Sequence, residues 1–112
     1  MLELPTIPHS KLLMLSWEEI SSNISKRSTK QFVSDVKTLA IALGEINRFH
    51  SNKLPDNHLF DLWKKQTKLR RLVKTVNFER SKQNKKEIIP LAMLDYWAGG
   101  SDNEKYRRQA NG

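Results

Sequence analysis

The chain concentrates basic side chains between positions 64 and 86. Ten Lys or Arg residues lie there against one acid, Glu79, so the segment carries +9 while the rest of the chain sums to −1. The whole formal charge of +8 therefore comes from one region. Because such a concentration attracts polyanions, it predicts a nucleic-acid-binding site. The predicted contact residues are Lys64, Lys65, Lys68, Arg70, Arg71, Lys74, Arg80, Lys82, Lys85 and Lys86.

The spacing of these residues predicts a cationic helix face. At 100° per residue, Lys64, Lys68 and Arg71 lie within about 60° of one another, and Lys74 lies beside them. Like charges three or four positions apart repel by a few tenths of a kcal/mol, so a face kept only for solubility usually mixes signs. Guanidinium groups hold phosphate bidentately, and we therefore expect the strongest contacts from Arg70 and Arg71. A solvated face is the alternative.

No other residues form a pattern typical of catalysis, a metal site or a cofactor. His9, His50 and His58 are scattered, and the adjacent Glu18 and Glu19 would point about 100° apart on a helix. The chain contains no cysteine, which excludes disulfides and thiolate ligands and suits a reducing compartment. We therefore expect a protein that is not an enzyme and needs no cofactor or metal.

The length of 112 residues predicts a single domain. Pro5 and Pro8 indicate an extended lead-in over 1–9, followed by one helical domain over 10–108 and a frayed end over 109–112. The apolar runs are much shorter than the roughly 20 residues that span a bilayer. We therefore expect a cytoplasmic protein without a membrane partner.

Two serines mark predicted helix starts. Ser16 and Ser28 are each followed three positions later by Glu19 or Gln31, the pattern of a capping box. Behind Ser28, apolar residues recur at spacings of three and four and predict a core helix that ends near His50. Its core positions are Phe32, Val36, Leu39, Leu43 and Ile46. The first segment has a similar stripe made of Leu12, Leu13, Leu15, Trp17, Ile20 and Ile24.

A longer helix is predicted to carry most of the basic residues. Asp56 is its expected N-cap, and the apolar stripe supports about 20 helical residues with Leu69 in the core. That stripe contains Leu59, Leu62, Gln66, Leu69, Val73 and Val76. The polar stretch 81–86 predicts a mobile loop that wraps a phosphate backbone on binding.

A final helix is predicted after this loop. Pro90 suits its first turn, Leu91, Leu94 and Trp97 would face inward, and glycines 99 and 100 would end it. Residues 101–104 could cap one further turn. No segment alternates with period two, so the predicted fold class is all-α, a bundle of four to five helices.

The three tryptophans are candidates for stacking on bases. Trp63 borders the cationic positions, which makes it the strongest of the three. Tryptophans that lie beside leucines at helical spacing more often pack in a core or at its rim. We therefore predict packing roles for Trp17, Trp63 and Trp97.

The C-terminal third, with Leu69-Arg70-Arg71-Leu72-Val73, a basic stretch and then Ile88 to Trp97, resembles the small subunit of type I CRISPR surveillance (Cascade) complexes. The resemblance covers roughly 40 of the 112 residues. It implies an all-helical, non-catalytic subunit present in several copies, which packs along the effector and contacts DNA through basic residues. By position, those contacts would fall on Arg70, Arg71 and their neighbours.

The expected function is sequence-independent binding of nucleic acid, DNA or RNA, within a ribonucleoprotein complex. Other subunits and several copies of the chain itself are the expected protein partners. One alternative is a phage or plasmid DNA-binding regulator, which should show a short helix-turn-helix. Another is an interaction module whose basic face docks an acidic protein.

Overall fold

The computed structural model describes residues 9–24, 28–50 and 54–99. Within these ranges the chain is all-α, which confirms the predicted fold class of a small helical bundle. The helices are α1 (His9–Met14), α2 (Trp17–Asn23), α3 (Thr29–Glu45), α4 (Asp56–Lys82) and α5 (91–99), and a π-helical turn, Ile46–His50, continues α3. The predictions for residues 1–8, for the stop at Gly100 and for 101–112 lie outside the described residues.

Both predicted serine caps are present. Ser16 Oγ accepts a hydrogen bond from the Glu19 amide at 3.2 Å, and the Ser16 amide donates to Glu19 Oε2 at 3.0 Å, so the capping box is complete. Ser28 Oγ accepts from the Gln31 amide at 3.1 Å. The Gln31 side chain turns forward and donates to Asp35 Oδ1 at 2.8 Å. These caps begin α2 and α3 at the expected positions.

The predicted cap at Asp56 is wrong. Asp56 is the first helical residue of α4, and Pro55 occupies the N-cap without a side-chain hydrogen bond. The Pro55 carbonyl accepts from the amides of His58 and Leu59 at 3.0 and 3.1 Å. Residues 56–58 are exposed, so water can pair with the first amides in place of a side-chain cap, and Asp56 lies in the first turn, where the helix dipole favours a negative charge.

All helices contribute to one hydrophobic core. The five predicted core residues of α3 and its π-helical turn are buried, including Leu39, and α4 adds Leu62, Leu69 and Val73. The other buried apolar side chains are Leu12, Ile20, Ile24, Ala40, Ile89 and Leu94. The periodicity of the sequence therefore identified the inner faces of α3 and α4.

Helix α4 has 27 residues, longer than predicted, because it continues through Lys82. Asn84 ends it with φ 59, the left-handed conformation that asparagine tolerates. The amides of Lys85 and Asn84 donate to the carbonyls of Arg80 and Ser81 at 3.0 and 3.1 Å, the bonds of a Schellman motif. The prediction of a loop over 81–86 is thus corrected, since Ser81 and Lys82 are helical and the following residues are hydrogen-bonded to the helix end.

Asn77 fixes the chain where it returns along α4. Its Nδ2 donates to the Ile89 carbonyl at 2.9 Å, and its Oδ1 accepts from the amides of Ile88 and Ile89 at 2.9 and 3.4 Å. These bonds seat Ile89 in the core immediately before α5. Pro90 directly precedes α5, and its carbonyl accepts from the amides of residues 93 and 94 at 3.0 and 3.1 Å. As predicted, Leu94 is buried, and residues 91 and 97 pack against the core.

Gly44 permits the close approach of α3 and α5. A Cβ added at Gly44 would lie 2.1 Å from the Ala98 carbonyl oxygen, so Gly44→Ala must push the two helices apart. Alanine favours a helix by about 1 kcal/mol over glycine, but overpacking against backbone costs about 1–3 kcal/mol.

We expect Gly44→Ala to lower the melting temperature, measured by circular dichroism. Ser34→Ala, at an exposed position of α3, is the control and should melt like the parent; a Gly44→Ala protein that is more stable would contradict this close contact.

Candidate nucleic-acid interface

The long helix α4 carries the charge opposite the core. Its inner side buries Leu62, Leu69 and Val73. The other side projects from the bundle over about 33 Å between residues 60 and 82, at 1.5 Å per residue. We call this side the outer face of α4 and define it as Phe60, Lys64, Lys68, Arg71, Lys74, Phe78 and Lys82.

Two aromatic rings, Phe60 and Phe78, flank the four central cations of the outer face. They are 56% and 60% exposed. Lys64 Nζ lies 4.5 Å from the centroid of the Phe60 ring, and Lys82 Nζ lies 4.6 Å from that of Phe78. In these cation–π contacts each ammonium group lies against a ring that remains more than half exposed.

The centre of the outer face carries unneutralised charge. In the described part of the chain, no carboxylate forms an ion pair with Lys68, Arg71 or Lys74. The sequence between positions 62 and 78 contains no acid at all. Repulsion within the helix is therefore not relieved by any described neighbour, which is the arrangement expected of a surface that receives an anion.

The prediction that Trp63 packs in the core or at its rim is not met. It is 68% exposed and lines a groove of about 300 Å³ with Lys64, Thr67, Lys68 and Arg71. A helical wheel contains the signal, because position 63 lies about 100° from Leu62 and falls off the apolar stripe. By contrast, the other two tryptophans, at 17 and 97, are half-buried and pack against the core as predicted.

Lys65, a predicted phosphate contact, is buried and unavailable to a ligand. Its side chain is in the core with 1% exposure. Nζ donates to the carbonyls of Leu13 at 2.9 Å and Leu12 at 3.4 Å, and it pairs with Asp61 Oδ2 at 2.8 Å. These carbonyls belong to the last turn of α1, whose negative dipole end a cation stabilises. Lys65 therefore lies on α4 and caps the C-terminal end of α1. Its burial could have been predicted from the sequence, because position 65 lies between Leu62 and Leu69 on the apolar stripe.

Arg70 is also engaged within the protein. Its Nε and Nη2 donate to Asp95 Oδ1 and Oδ2 at 3.1 and 3.4 Å, a bidentate ion pair that joins α4 to α5. Arg71, its neighbour, is exposed on the outer face. The two arginines expected to act alike are thus separated, since adjacent helical residues point about 100° apart.

The last predicted residues lie at the C-terminal end of α4. Arg80 is half-buried and donates from Nε to the Lys86 carbonyl at 2.9 Å. Lys85 and Lys86 are exposed beyond the Schellman turn. Five of the ten predicted residues, Lys64, Lys68, Arg71, Lys74 and Lys82, therefore share the outer face of α4.

We expect Lys65→Met to destabilise the protein without changing the affinity of the folded protein for a ligand. Methionine fills a similar volume but leaves the Leu13 carbonyl without its hydrogen bond from Lys65 and removes the ion pair with Asp61, at a cost of about 1–3 kcal/mol in unfolding free energy. The Leu12 carbonyl still accepts from the Leu15 amide at 3.3 Å. Urea denaturation measures this change. Lys64→Met is the matched control next in sequence and should leave stability unchanged while weakening nucleic-acid binding. Equal stability of both variants would show that Lys65 does not act as a cap.

A second matched pair separates the arginines. Arg70→Gln should lower the unfolding free energy by up to about 1 kcal/mol, because it removes the ion pair with Asp95. Arg71→Gln should have the melting temperature of the parent or a slightly higher one, since the substitution relieves repulsion on the helix. Thermal melts and binding titrations on both proteins check this, with the larger loss of nucleic-acid affinity expected for Arg71→Gln. The reverse ranking in both measurements would contradict the assignment.

Within the described residues, no three His, Asp or Glu side chains are grouped so that they could hold a metal ion. None of the described helices is long and apolar enough to cross a membrane. Comparison of the chain with protein-family models, curated proteins and solved structures finds no match.

Proposed function

We propose that this protein binds nucleic acid through the outer face of α4, holds the phosphate backbone without reading sequence, and serves as a non-catalytic subunit of a ribonucleoprotein complex. The observation that carries the proposal is the row of Lys68, Arg71 and Lys74, which share one rigid helix side and have no ion-pair partner among the described residues. With Lys64, the row extends over about 15 Å, the length of a few backbone phosphates.

The exposed aromatic side chains fit nucleic acid as the partner. Phe60, Trp63 and Phe78 are all more than half exposed on or beside the cationic row. Aromatic rings among cations are typical of surfaces on which bases stack. Exposure of three large rings to water has a free-energy cost, which a ligand that covers them removes.

The remaining alternatives have less support. A helix-turn-helix regulator inserts a short recognition helix, but α4 runs without a break for 27 residues. The place in a larger complex rests on the resemblance of the C-terminal third to the Cascade small subunit, with which an all-helical fold is compatible. DNA and RNA both fit a surface that contacts phosphates.

The proposal predicts binding that depends strongly on salt. If four phosphates are neutralised, the logarithm of the binding constant should fall with the logarithm of salt concentration with a slope of about −3 to −4. Replacing Lys68, Arg71 and Lys74 with glutamine should weaken binding and reduce the slope by about two to three. Fluorescence anisotropy with labelled oligonucleotides of unrelated sequence, at several salt concentrations, measures both quantities.

A matched control removes the same charge elsewhere. Lys11, Lys30 and Lys37 are exposed and lie off α4, so their replacement by glutamine lowers the net charge equally but leaves the outer face intact. This control should keep the slope of the parent protein. Equal losses in the two triple variants would indicate a general charge effect, and binding by neither parent nor control would overturn the proposed function. Binding of an acidic protein that duplex DNA cannot displace would favour the interaction module instead.

A further inference from the structure

A cleft of about 210 Å³ opens between α3, α4 and α5. Apolar side chains from all three helices line it, including Leu43, Leu69 and Leu94. Trp63 lines both this cleft and the groove on the outer face. The indole is therefore the shared wall between the cationic surface and a small apolar recess.

The cleft contains polar groups without partners. The side-chain amides of Asn47 and Gln66 and the hydroxyl of Thr67 line it, and none of the three makes a hydrogen bond with any residue that the structure describes. Gln66 is half-buried at a position of the apolar stripe, where a leucine would bury more apolar surface. Asn47 and Thr67 are exposed and Gln66 is half-buried, so the polar groups of all three are accessible to a ligand that would replace water as their hydrogen-bond partner.

The backbone beside the cleft is also unusual. Asn47 belongs to the π-helical turn Ile46–His50, which continues α3. Such turns occur mostly as single-turn insertions in α-helices and are frequent at functional sites. Here the turn supplies one of the two amides of the cleft.

We propose that this cleft binds one unpaired nucleobase, an inference that rests on the proposed function. The recess is smaller than the roughly 300–1,000 Å³ of pockets for drug-sized ligands, so it suits a single planar ring system. The base would stack on Trp63 and turn its edge toward Asn47 and Gln66, whose amides both donate and accept. The edges of paired bases are occupied, and the cleft therefore selects single-stranded nucleic acid.

The test compares an oligothymidylate with an abasic oligomer of equal length and charge. Both have about 12 nucleotides, which is within the usual site size of 4–16 nucleotides for single-strand-binding folds. The parent should bind the thymidylate about fivefold to 150-fold more tightly, the value of one base–aromatic stack. The double variant Asn47→Ala with Gln66→Ala should lose about fivefold to tenfold of that preference and bind the abasic oligomer as the parent does. Duplex binding should not change.

The matched control is Thr29→Ala with Ser34→Ala, two exposed positions of α3 outside the cleft and off α4, and it should behave like the parent. Trp63→Leu is a second variant, which should fold because the side chain is mostly exposed and should lose the preference for bases. Circular dichroism melting verifies folding of each protein.

The outcomes separate the two proposals. If the parent binds both oligomers with a steep salt dependence and the cleft variants change nothing, the cleft is not a base site and the proposed function stands. The assignment of the cleft as a base site would also be overturned if the preference for bases survives in the Asn47 and Gln66 variant but is lost when Phe60 and Phe78 are replaced. If the parent binds neither oligomer but binds duplex, the cleft proposal alone fails; if it binds neither the oligomers nor duplex at low salt, both proposals fail.

Discussion

Burial of Leu62, Leu69 and Val73 against α3 decides the direction of every other side chain on α4. A regular helix gives each residue a fixed angle, so once these three enter the core the outer face must project to solvent. The same constraint brings Trp63 to the edge of the bundle and turns Arg70 toward α5. The cationic row is thus held by packing, and it needs no folding step of its own to meet a ligand.

The inner and lateral sides of α4 also hold the rest of the molecule. Lys65 caps the end of α1, Asn77 binds the segment before α5, and Arg70 pairs with Asp95 on α5. All three are polar contacts at the margin of an apolar interface. Their contribution to stability depends on hydrogen-bond distance and angle rather than on the apolar area that they bury. They explain why two of the basic residues are used internally although the chain has a large excess of positive charge.

A rigid cationic helix with exposed aromatic rings differs in physical behaviour from a flexible basic tail. The Schellman turn at Asn84 and the bond from Arg80 to the Lys86 carbonyl order the region that composition alone marked as mobile. A ligand that binds such a surface orders few protein residues, and under the proposed function the affinity would come from counterion release and stacking. The cleft beside Trp63 adds to that surface a recess lined by both apolar and amide side chains, and it is this recess that we propose as the site of an unpaired base.

The sequence by itself determined the helical class, the serine caps and the buried positions of α3 and α4, because these depend on local hydrogen bonds and on the 3.6-residue period. It also located the charge, since counting residues needs no coordinates. Only the tertiary structure decided which cations remain available. Lys65 and Arg70 have the same composition signal as Lys64 and Arg71, but their partners, Leu13 and Asp95, are 52 and 25 residues away. Contacts across such separations depend on how the helices pack. Local spacing could place Lys65 on the apolar stripe, but it could not identify Leu13 as its partner or Asp95 as the partner of Arg70.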